Sequence, residues 1–469
     1  MEEAMMKGKT DRRARRRRAA LDEAGLAHVH LDAAGIDIGS EQHWAAVPEG
    51  RDERSVRSFS SFTSGLNELA DWLQRCAITT VAMESTGVYW IPLYELLQER
   101  GIEVLLVNAK HVKNVPGRKD DCVDCQWLQK LHTFGLLSGS FRPEAEIAAL
   151  RSYLRHRDTL VVQASSWVHR MQKALVQMNV QLHTVLTDIT GVTGMSILRE
   201  IVAGERDPSR LARHRDYRCR ASEAQIVAAL TGHYRDEHLF ALRQALQCYD
   251  FYQQQLRECD SQIEQRLAEL ARRQDAVAAE LPAARRKHGQ RYNEPRFELR
   301  APLFALTAGV DVTQLPGISP YNGLKLLSEV GTDMTRFKTD KHFASWLTLS
   351  PHVNASGGRV LSSHTRPSAS RAAHIFRLAA LSLSRSNTAL GAFYRRLAAR
   401  IGKPKAITAT ARKLAILFYR LLRRQLEPKA LDANYYDQHQ RDRTVRSLRR
   451  RAKALGLQLL DPATGELVA

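Results

Sequence analysis

Four acidic residues near the start of the chain have the types and spacing that metal-dependent cleavage of a phosphodiester requires. Asp37 lies in a first apolar run, and Glu84 ends a later one. Asp121 and Asp124 are three positions apart, so they share one face of a predicted helix. Two Mg²⁺ ions roughly 3.5–4 Å apart can activate a nucleophile and stabilise a leaving oxygen, and Mg²⁺ prefers oxygen ligands. The set predicts a Mg²⁺ site of that kind.

The order of these carboxylates carries the information, because a single Asp at a strand end or helix start is most often a turn or capping residue. One carboxylate lies in the first strand, one ends the fourth, and two lie in the helix that follows. Gly35 and Gly39 flank Asp37. We expect these glycines to leave room for a phosphate to approach the backbone.

Three residues beside the helical pair have alternative interpretations. Asp120 competes with Asp121 for the third acidic position. Arg118 and Lys119 precede the pair and are candidates for contact with phosphate. Solvated surface charge is an equally good explanation of both cations.

The pattern of apolar and turn residues predicts the elements that must position these acids. The predicted strands cover residues 29–38, 43–48, 54–62, 79–84 and 102–108. A first helix starts at Thr63 or Ser64 as the N-cap, a second spans 89–100, and a third spans about 119–133. Three strands, helix, strand, helix, strand, helix is the order of an α/β RNase H-like fold.

The middle of the chain is predicted to be helical. Residues 145–186 have apolar side chains at helical spacing, and residues 236–275 carry a seven-residue repeat. That repeat consists of Leu242, Tyr249, Leu256, Ile263 and Leu270. A second row, Leu239, Leu246 and Leu267, is interrupted by Gln253 and Asp260. This favours an antiparallel or intermolecular coiled coil, and an ordinary amphipathic helix hairpin is the alternative.

Composition favours a polyanionic partner. The chain has 70 Lys and Arg against 50 Asp and Glu, a formal net charge of +20. Basic side chains gain affinity for nucleic acid by releasing counterions from phosphates. A basic soluble protein without such a partner is the alternative.

The longest apolar stretches fall short of the ~18 residues of a membrane span, and no secretory signal is evident, so we expect a cytoplasmic, nucleoid-associated protein.

These patterns predict five regions. They are a disordered basic arm (1–28), a nuclease domain (29–143), a helical coiled-coil region with a basic linker (144–301), a mostly α C-terminal domain (302–430) and a basic tail (431–469).

Segments 35–39, 83–89 and 116–127 resemble the DEDD transposases of the insertion-sequence one-ten family. Members have a RuvC-like N-terminal domain, and the resemblance implies that Asp37, Glu84, Asp121 and Asp124 are its acidic residues. The family usually has Lys-Thr-Asp where this chain has Lys119-Asp120-Asp121, which favours Asp121 over Asp120.

A second resemblance lies downstream. Segments 315–320, 324–331, 343–347, 356–358 and 377–380 are similar to the C-terminal transposase domain of the same family. The serine of a Ser-Gly motif is a catalytic nucleophile there, so the position carried over is Ser356. Residues 365–368 depart from the family pattern. Together the two resemblances cover roughly residues 30–430.

Backbone contacts with nucleic acid are expected at three glycines. The turn at Gly317 precedes a predicted helix and resembles half of a helix-hairpin-helix, which directs N–H groups at a phosphate. Gly357 and Gly358 follow Ser356. A serine hydroxyl needs a base or a metal to become a nucleophile, and no His–Asp partner is identifiable from spacing. His352 and His364 are nearby, but a lone histidine is more often structural.

The resemblance implies a recombinase that inserts and excises a mobile element. It further implies a composite site in which the carboxylates and Mg²⁺ assist Ser356, formed by the two domains of one protomer or of different protomers. The implied partners are donor and target DNA, an element-encoded bridge RNA, and further copies of the chain in a dimer or tetramer.

Two other functions remain open from the sequence. A RuvC-like endonuclease that cuts DNA junctions with activated water would share the carboxylates and would not need Ser356. A non-enzymatic nucleic-acid-binding scaffold would use the basic arms and the coiled coil, and would not need Asp37.

Overall fold

The computed structural model describes residues 27–85, 87–108, 121–273, 280–284, 293–426 and 433–460. The chain divides into two compact units, Met1–Arg142 and Pro143–Ala469. Most of the predicted basic arm (1–28) lies outside the described residues. Within the described part, no helix is long and apolar enough to cross a membrane.

The first unit is built on a five-stranded mixed sheet. Its strands are β1 (Ala33–Ile38), β2 (Gln42–Ala46), β3 (Val56–Ser60), β4 (Thr80–Glu84) and β5 (Glu103–Val107). The spatial order is β3-β2-β1-β4-β5, with β1 antiparallel to β2 and parallel to β4. A mixed sheet with this element order, covered by helices, fits the predicted RNase H-like fold.

Two helices cover one face of this sheet, α1 (Thr63–Arg75) and α2 (Trp90–Glu99). The predicted apolar face of α1 is buried, because Leu66, Leu69, Trp72 and Leu73 recur at helical spacing and pack on the sheet. The strands contribute the alternate residues Ile36 and Ile38 to the same core. Alternation along a strand then directs Gly35 and Asp37 to the opposite face.

A third helix, α3 (Asp121–Thr133), lies on that opposite face in very close contact with β1. A Cβ atom at Gly35 would come 2.2 Å from the backbone nitrogen of Gln129 and 2.3 Å from the backbone oxygen of Cys125. The Gln129 side chain donates to the carbonyl of Ala33 at 3.3 Å. Near the end of the helix, Nε2 of His132 lies 2.9 Å from the hydroxyl of Thr80 on β4.

These contacts correct the expectation for the glycines around Asp37. The space beside Gly35 is filled by the backbone of α3 and is not open to a phosphate. Gly39 closes the turn between β1 and β2, where its N–H donates to the carbonyl of Gln42 at 3.1 Å. A Cβ atom at Gly39 would lie 2.4 Å from that same oxygen. Both glycines are therefore explained by packing of the protein on itself.

The predicted elements of this unit are present with shifted ends. The largest shift is in β1, which begins at Ala33 instead of residue 29. The predicted N-cap of α1 at Thr63 or Ser64 is wrong, because the helix begins at Thr63 after Phe62 and has no side-chain cap. The predicted stop of α2 at Gly101 is confirmed by its left-handed backbone, with φ of +76°.

The second unit is mostly helical. Its helices, in chain order, are α4 (Ala145–Gln177), α5 (Leu182–Val185), α6 (Val192–Ala203), α7 (Pro208–Ala212), α8 (Glu223–Leu230), α9 (Asp236–Arg272), α10 (Arg300–Leu306), α11 (Pro320–Val330), α12 (Asp340–Trp346), α13 (Arg371–Ser382), α14 (Ala389–Ile401), α15 (Lys403–Leu422) and α16 (Ala433–Ala454). Its strands are β6 (Pro351–Ser356) and β7 (Arg359–Thr365).

The long helices α4 and α9 pack against each other in opposite directions within one chain. Both predicted apolar rows of α9 are buried, from Leu239 to Leu270. Asp260, which interrupts the second row, forms an ion pair with the buried Arg157 of α4. Arg157 also donates to the carbonyl of Asn293 at 2.8 Å and to the hydroxyl of Tyr321 at 3.1 Å. The coiled-coil geometry of this pair stays a prediction.

One predicted helix of the second unit is too long, and two elements of this unit were not predicted. The helix expected over 145–186 ends at Gln177, because Asn179 takes the left-handed conformation with φ of +54°. The domain expected to be mostly α also contains the hairpin β6–β7. The predicted basic tail contains the helix α16.

The close contact at Gly35 generates a first prediction. Gly35→Ala should push α3 away from β1, because the new methyl group would overlap the backbone of Cys125 and Gln129. We expect the free energy of unfolding to fall by about 2 kcal/mol or more, as for other overpacked sites. Urea titration would measure it. Gly50→Ala is the control, since nothing lies within 4 Å of that glycine and only its positive φ of +86° opposes alanine. An equal fall in the free energy of unfolding in the two variants would contradict the expected overlap between the new methyl group and α3.

The buried His132 generates a second prediction. Desolvation by burial, with the neighbouring His30, lowers the pKa of His132 to about 4 from 6.5. The folded state keeps the ring neutral, so this contribution to stability is complete above pH 6.5 and is lost as the pH falls towards 4. At about pH 5 the loss is roughly 2 kcal/mol.

Urea titrations at about pH 7 and about pH 5 would test this, with His132→Gln expected to show a smaller loss of stability on acidification than the wild type. The exposed His28 provides the control, because His28→Gln should keep the wild-type pH dependence. The same pH dependence in all three proteins would contradict the assignment to His132.

Candidate active site

The parallel pairing of β1 and β4 places two of the four acids on neighbouring strands. Gly35 pairs with Ala82 and Ile36 with Met83, so Asp37 and Glu84 are the next residues of the two strands. Neighbouring strands lie about 4.8 Å apart. Glu84 is buried, with 8% of its surface exposed, and Asp37 is half-buried. The chain beyond Glu84 is held by Ser85, whose N–H and hydroxyl both donate to the carbonyl of Val107.

Both acids belong to the sheet face that α3 covers. Asp37 alternates with Ile36 and Ile38, which face the other core, and Glu84 shares the face of Thr80, the partner of His132. The helix runs antiparallel to β1, because the carbonyl of Thr133 accepts from the N–H of Val29, which precedes the strand.

The amino-terminal end of α3 therefore lies towards the carboxyl ends of β1 and β4. Cys125 contacts the sheet at Gly35, and the half-buried Asp124 precedes it on the helix. Asp124 thus lies on the turn of the helix closest to Asp37. The docking of a single helix brings the acids of three elements to one edge of the sheet.

The remaining predicted residues of this region are only partly described. The backbone of Asp121 begins α3, and its side chain lies outside the described residues, as do Arg118 and Lys119. Among the described side chains, no group of three His, Cys, Asp or Glu residues is close enough to hold a metal ion. The chemistry of the donor set, carboxylate oxygens at the ends of adjacent strands, nevertheless fits a hard divalent cation.

His43 is a buried residue beneath this edge that the sequence did not single out. His43 lies on β2, where it pairs with Ile38 of β1 and is 1% exposed, and burial lowers the pKa of its ring. Its Nδ1 has no hydrogen-bond partner within the described residues. Because residues opposite each other in a ladder share a face, His43 lies on the side of α1 and α2, away from Asp37. The alternation of His43, Ala45 and Val47 was the available signal.

Ser356 lies at the tip of the exposed hairpin β6–β7. It pairs with Arg359 across a two-residue turn formed by Gly357 and Gly358. Their φ angles of +55° and +76° are the left-handed values that a type I′ turn requires at both central positions. The turn therefore explains both glycines and presents the serine hydroxyl to solvent. Their contact with nucleic acid stays a prediction.

The two histidines near Ser356 do not lie beside it. His352 pairs with His364 at the far end of the hairpin, where both strands join the rest of the unit. Within the described part of the chain, no side chain hydrogen-bonds the Ser356 hydroxyl. The hairpin by itself thus provides no general base for this serine.

The turn at Gly317 is packed against another helix. Gly317 has φ of +84°, and a Cβ atom there would lie 3.0 Å from the carbonyl oxygen of Ala379 in α13. The following Ser319 caps α11 by accepting from the N–H of Asn322. This packing is a structural reason for a glycine, and the predicted contact of Gly317 with nucleic acid is not tested by it.

Comparison with known families locates two matching segments. Residues 34–180 match the family of DEDD transposases typified by IS110, described as a transposase. Residues 311–395 match a family described as transposases of the IS116/IS110/IS902 family. No curated protein matches the chain.

The first match begins within β1 and includes Asp37, Glu84 and α3. The second includes the hairpin that carries Ser356. Such domains occur in enzymes that cleave and rejoin DNA, so the substrates include DNA. With both of its characteristic segments present in the expected order, the chain belongs to the IS110 family of transposases.

Proposed function

We propose that this transposase cleaves and rejoins DNA strands in a Mg²⁺-dependent reaction directed by an element-encoded bridge RNA. The observation that carries the proposal is the meeting of β1, β4 and the start of α3 at one edge of the sheet. Asp37, Glu84 and Asp124 come from these three elements, and Asp121 begins the same helix.

The four carboxylates are proposed to hold the divalent cation. When bound, the cation would stabilise the negative charge that develops on the phosphate during strand cleavage. The burial of Glu84 limits its contact with water, which strengthens the attraction of this carboxylate for a cation.

Ser356 is proposed to act as the nucleophile. Its hydroxyl loses a proton to a carboxylate base, and Oγ forms a bond to phosphorus while the bond from phosphorus to one strand oxygen breaks. That oxygen takes up a proton and leaves as a hydroxyl. Rejoining reverses these steps with the hydroxyl of another strand. Each step exchanges one phosphate ester for another, so no external energy source is required.

The proposed partners are donor and target DNA, a bridge RNA and further copies of the chain. The net charge of +20 supports binding to more than one nucleic-acid strand, because each neutralised phosphate releases counterions. Guidance by RNA and assembly into a dimer or tetramer rest on the family.

The carboxylates generate a third prediction. Asp124→Asn keeps the side-chain shape and removes the charge, so cleavage of element DNA with Mg²⁺ should fall by about a thousandfold or more. The measurement is plasmid excision and insertion with element DNA and its flanking transcripts. The exposed Asp71, which pairs with Arg100 on the same unit, gives a matched control. Full activity of Asp124→Asn would remove this residue from the proposed site.

The serine generates a fourth prediction. Wild-type protein should form a covalent adduct with DNA, detectable by denaturing electrophoresis, and Ser356→Ala should form none and fail to recombine. Ser362→Ala on the neighbouring strand of the same hairpin is the control and should behave as the wild type.

The result with Ser356→Ala also separates the proposal from the junction-endonuclease alternative. If that variant still cuts DNA at the wild-type rate, activated water is the nucleophile, and the carboxylate-only endonuclease becomes the better account.

A further inference from the structure

The second unit contains a cavity of about 340 Å³ whose walls are rich in positive charge. Its lining comes from the first half of α4, from one face of α11, and from the segment 368–370 together with the first two turns of α13. That segment directly follows β7, so it is continuous in sequence with the hairpin that carries Ser356. The proposed catalytic mechanism assigns no role to this cavity.

The charged side chains of the cavity do not balance. Its cations are Arg155, Lys325, Arg371 and Arg377, and its carboxylates are Asp158 and Glu329. The four cations exceed the two carboxylates by two positive charges. Burying or concentrating like charges is unfavourable without a compensating anion.

The two carboxylates are shared among three of the cations. Both guanidinium contacts of Arg155 to Glu329 are short, at 2.9 and 2.7 Å. Asp158 lies 3.0 Å from the ammonium of Lys325 and 3.7 Å from the guanidinium of Arg371. Among the residues that the structure describes, the half-buried Arg377 forms no ion pair. Among the four cations of the cavity, Arg377 is thus the one best able to bind an added anion.

Neutral donors complete the lining. The hydroxyl groups of Ser328, Ser368 and Ser370 lie on the wall, and Ser370 caps α13 by accepting from the N–H of Ala373. The N–H groups at the start of this helix have no acceptor within the helix and add to the positive potential. Guanidinium groups beside hydroxyl and amide donors match the oxygens of a phosphate.

We propose that this cavity binds a backbone phosphodiester of a nucleic-acid strand, with Arg377 as its main cationic contact. The proposal rests on the proposed function, because it takes the anion to belong to nucleic acid. DNA and RNA share this phosphodiester chemistry. A strand bound here would be anchored beside the segment that supports the Ser356 hairpin.

The test is fluorescence anisotropy with the full-length protein over a series of KCl concentrations, using labelled duplex DNA and labelled single-stranded RNA as separate probes. Arg377→Gln should weaken binding about tenfold, as expected for loss of one charged hydrogen bond. It should also reduce the slope of log affinity against log salt by about 1. The exposed Arg243 of α9 lies outside the cavity, so Arg243→Gln is the control for loss of the same charge.

A second variant separates ligand binding from damage to the fold. Glu329→Gln releases Arg155 from its ion pair, so binding should become about threefold tighter. Loss of any carboxylate raises the net positive charge, so the control is Glu258→Gln on the exposed side of α9, which should tighten binding less than Glu329→Gln does. Circular dichroism melting should show that each variant is folded.

The probes distinguish the source of the phosphate. If Arg377→Gln weakens binding to duplex DNA alone, the phosphate belongs to DNA, and if it weakens binding to RNA alone, the phosphate belongs to RNA. Weaker binding to both probes identifies a general phosphate contact. If Arg377→Gln and Glu329→Gln bind both probes as Arg243→Gln does, the cavity is not a phosphate site. If the wild-type protein binds neither probe, the proposed function itself is wrong.

Discussion

The contact between the backbone of α3 and Gly35 is the constraint on which the acidic edge of the sheet depends. Only a residue without a side chain lets the amide of Gln129 and the carbonyl of Cys125 come so near to β1. Two hydrogen bonds then fix the helix along its length. The Gln129 side chain donates to the carbonyl of Ala33, and the His132 ring bonds to the hydroxyl of Thr80. These neutral contacts hold the helix, so Asp124 keeps its place near the other carboxylates although like charges repel one another.

Much of this arrangement was predictable because the first unit follows strong local rules. Alternating and buried apolar runs gave the order of strands, and the spacing of Leu66, Leu69, Trp72 and Leu73 gave the face of α1. The role of Gly35 was not predictable, since a glycine beside an acid looks the same whether a phosphate or a helix approaches it. Only the tertiary contact decides between them.

The second unit was harder to predict for physical reasons that its residues illustrate. The β6–β7 hairpin is exposed on both faces, so it lacks the alternation that marks a half-buried strand, and Gly357-Gly358 was its one local signal. Asp260 looked like a flaw in an apolar row, yet it is the partner of a buried arginine. Such a pair contributes little net stability, but a misaligned helix would leave Arg157 buried without a counter-charge, which favours one register.

The antiparallel pairing of α4 with α9 also determines when the second unit can fold during synthesis. Arg157 and Asp260 are 103 residues apart, so the partner of α4 is made long after α4 has left the ribosome. At about 5–20 residues per second, that interval is about 5–20 s. During this time the apolar stripe of α4, including Leu150 and Leu154, has no α9 to cover it. In the nascent chain this stripe therefore stays uncovered by α9 until that helix has been made, and we expect this interval to favour aggregation.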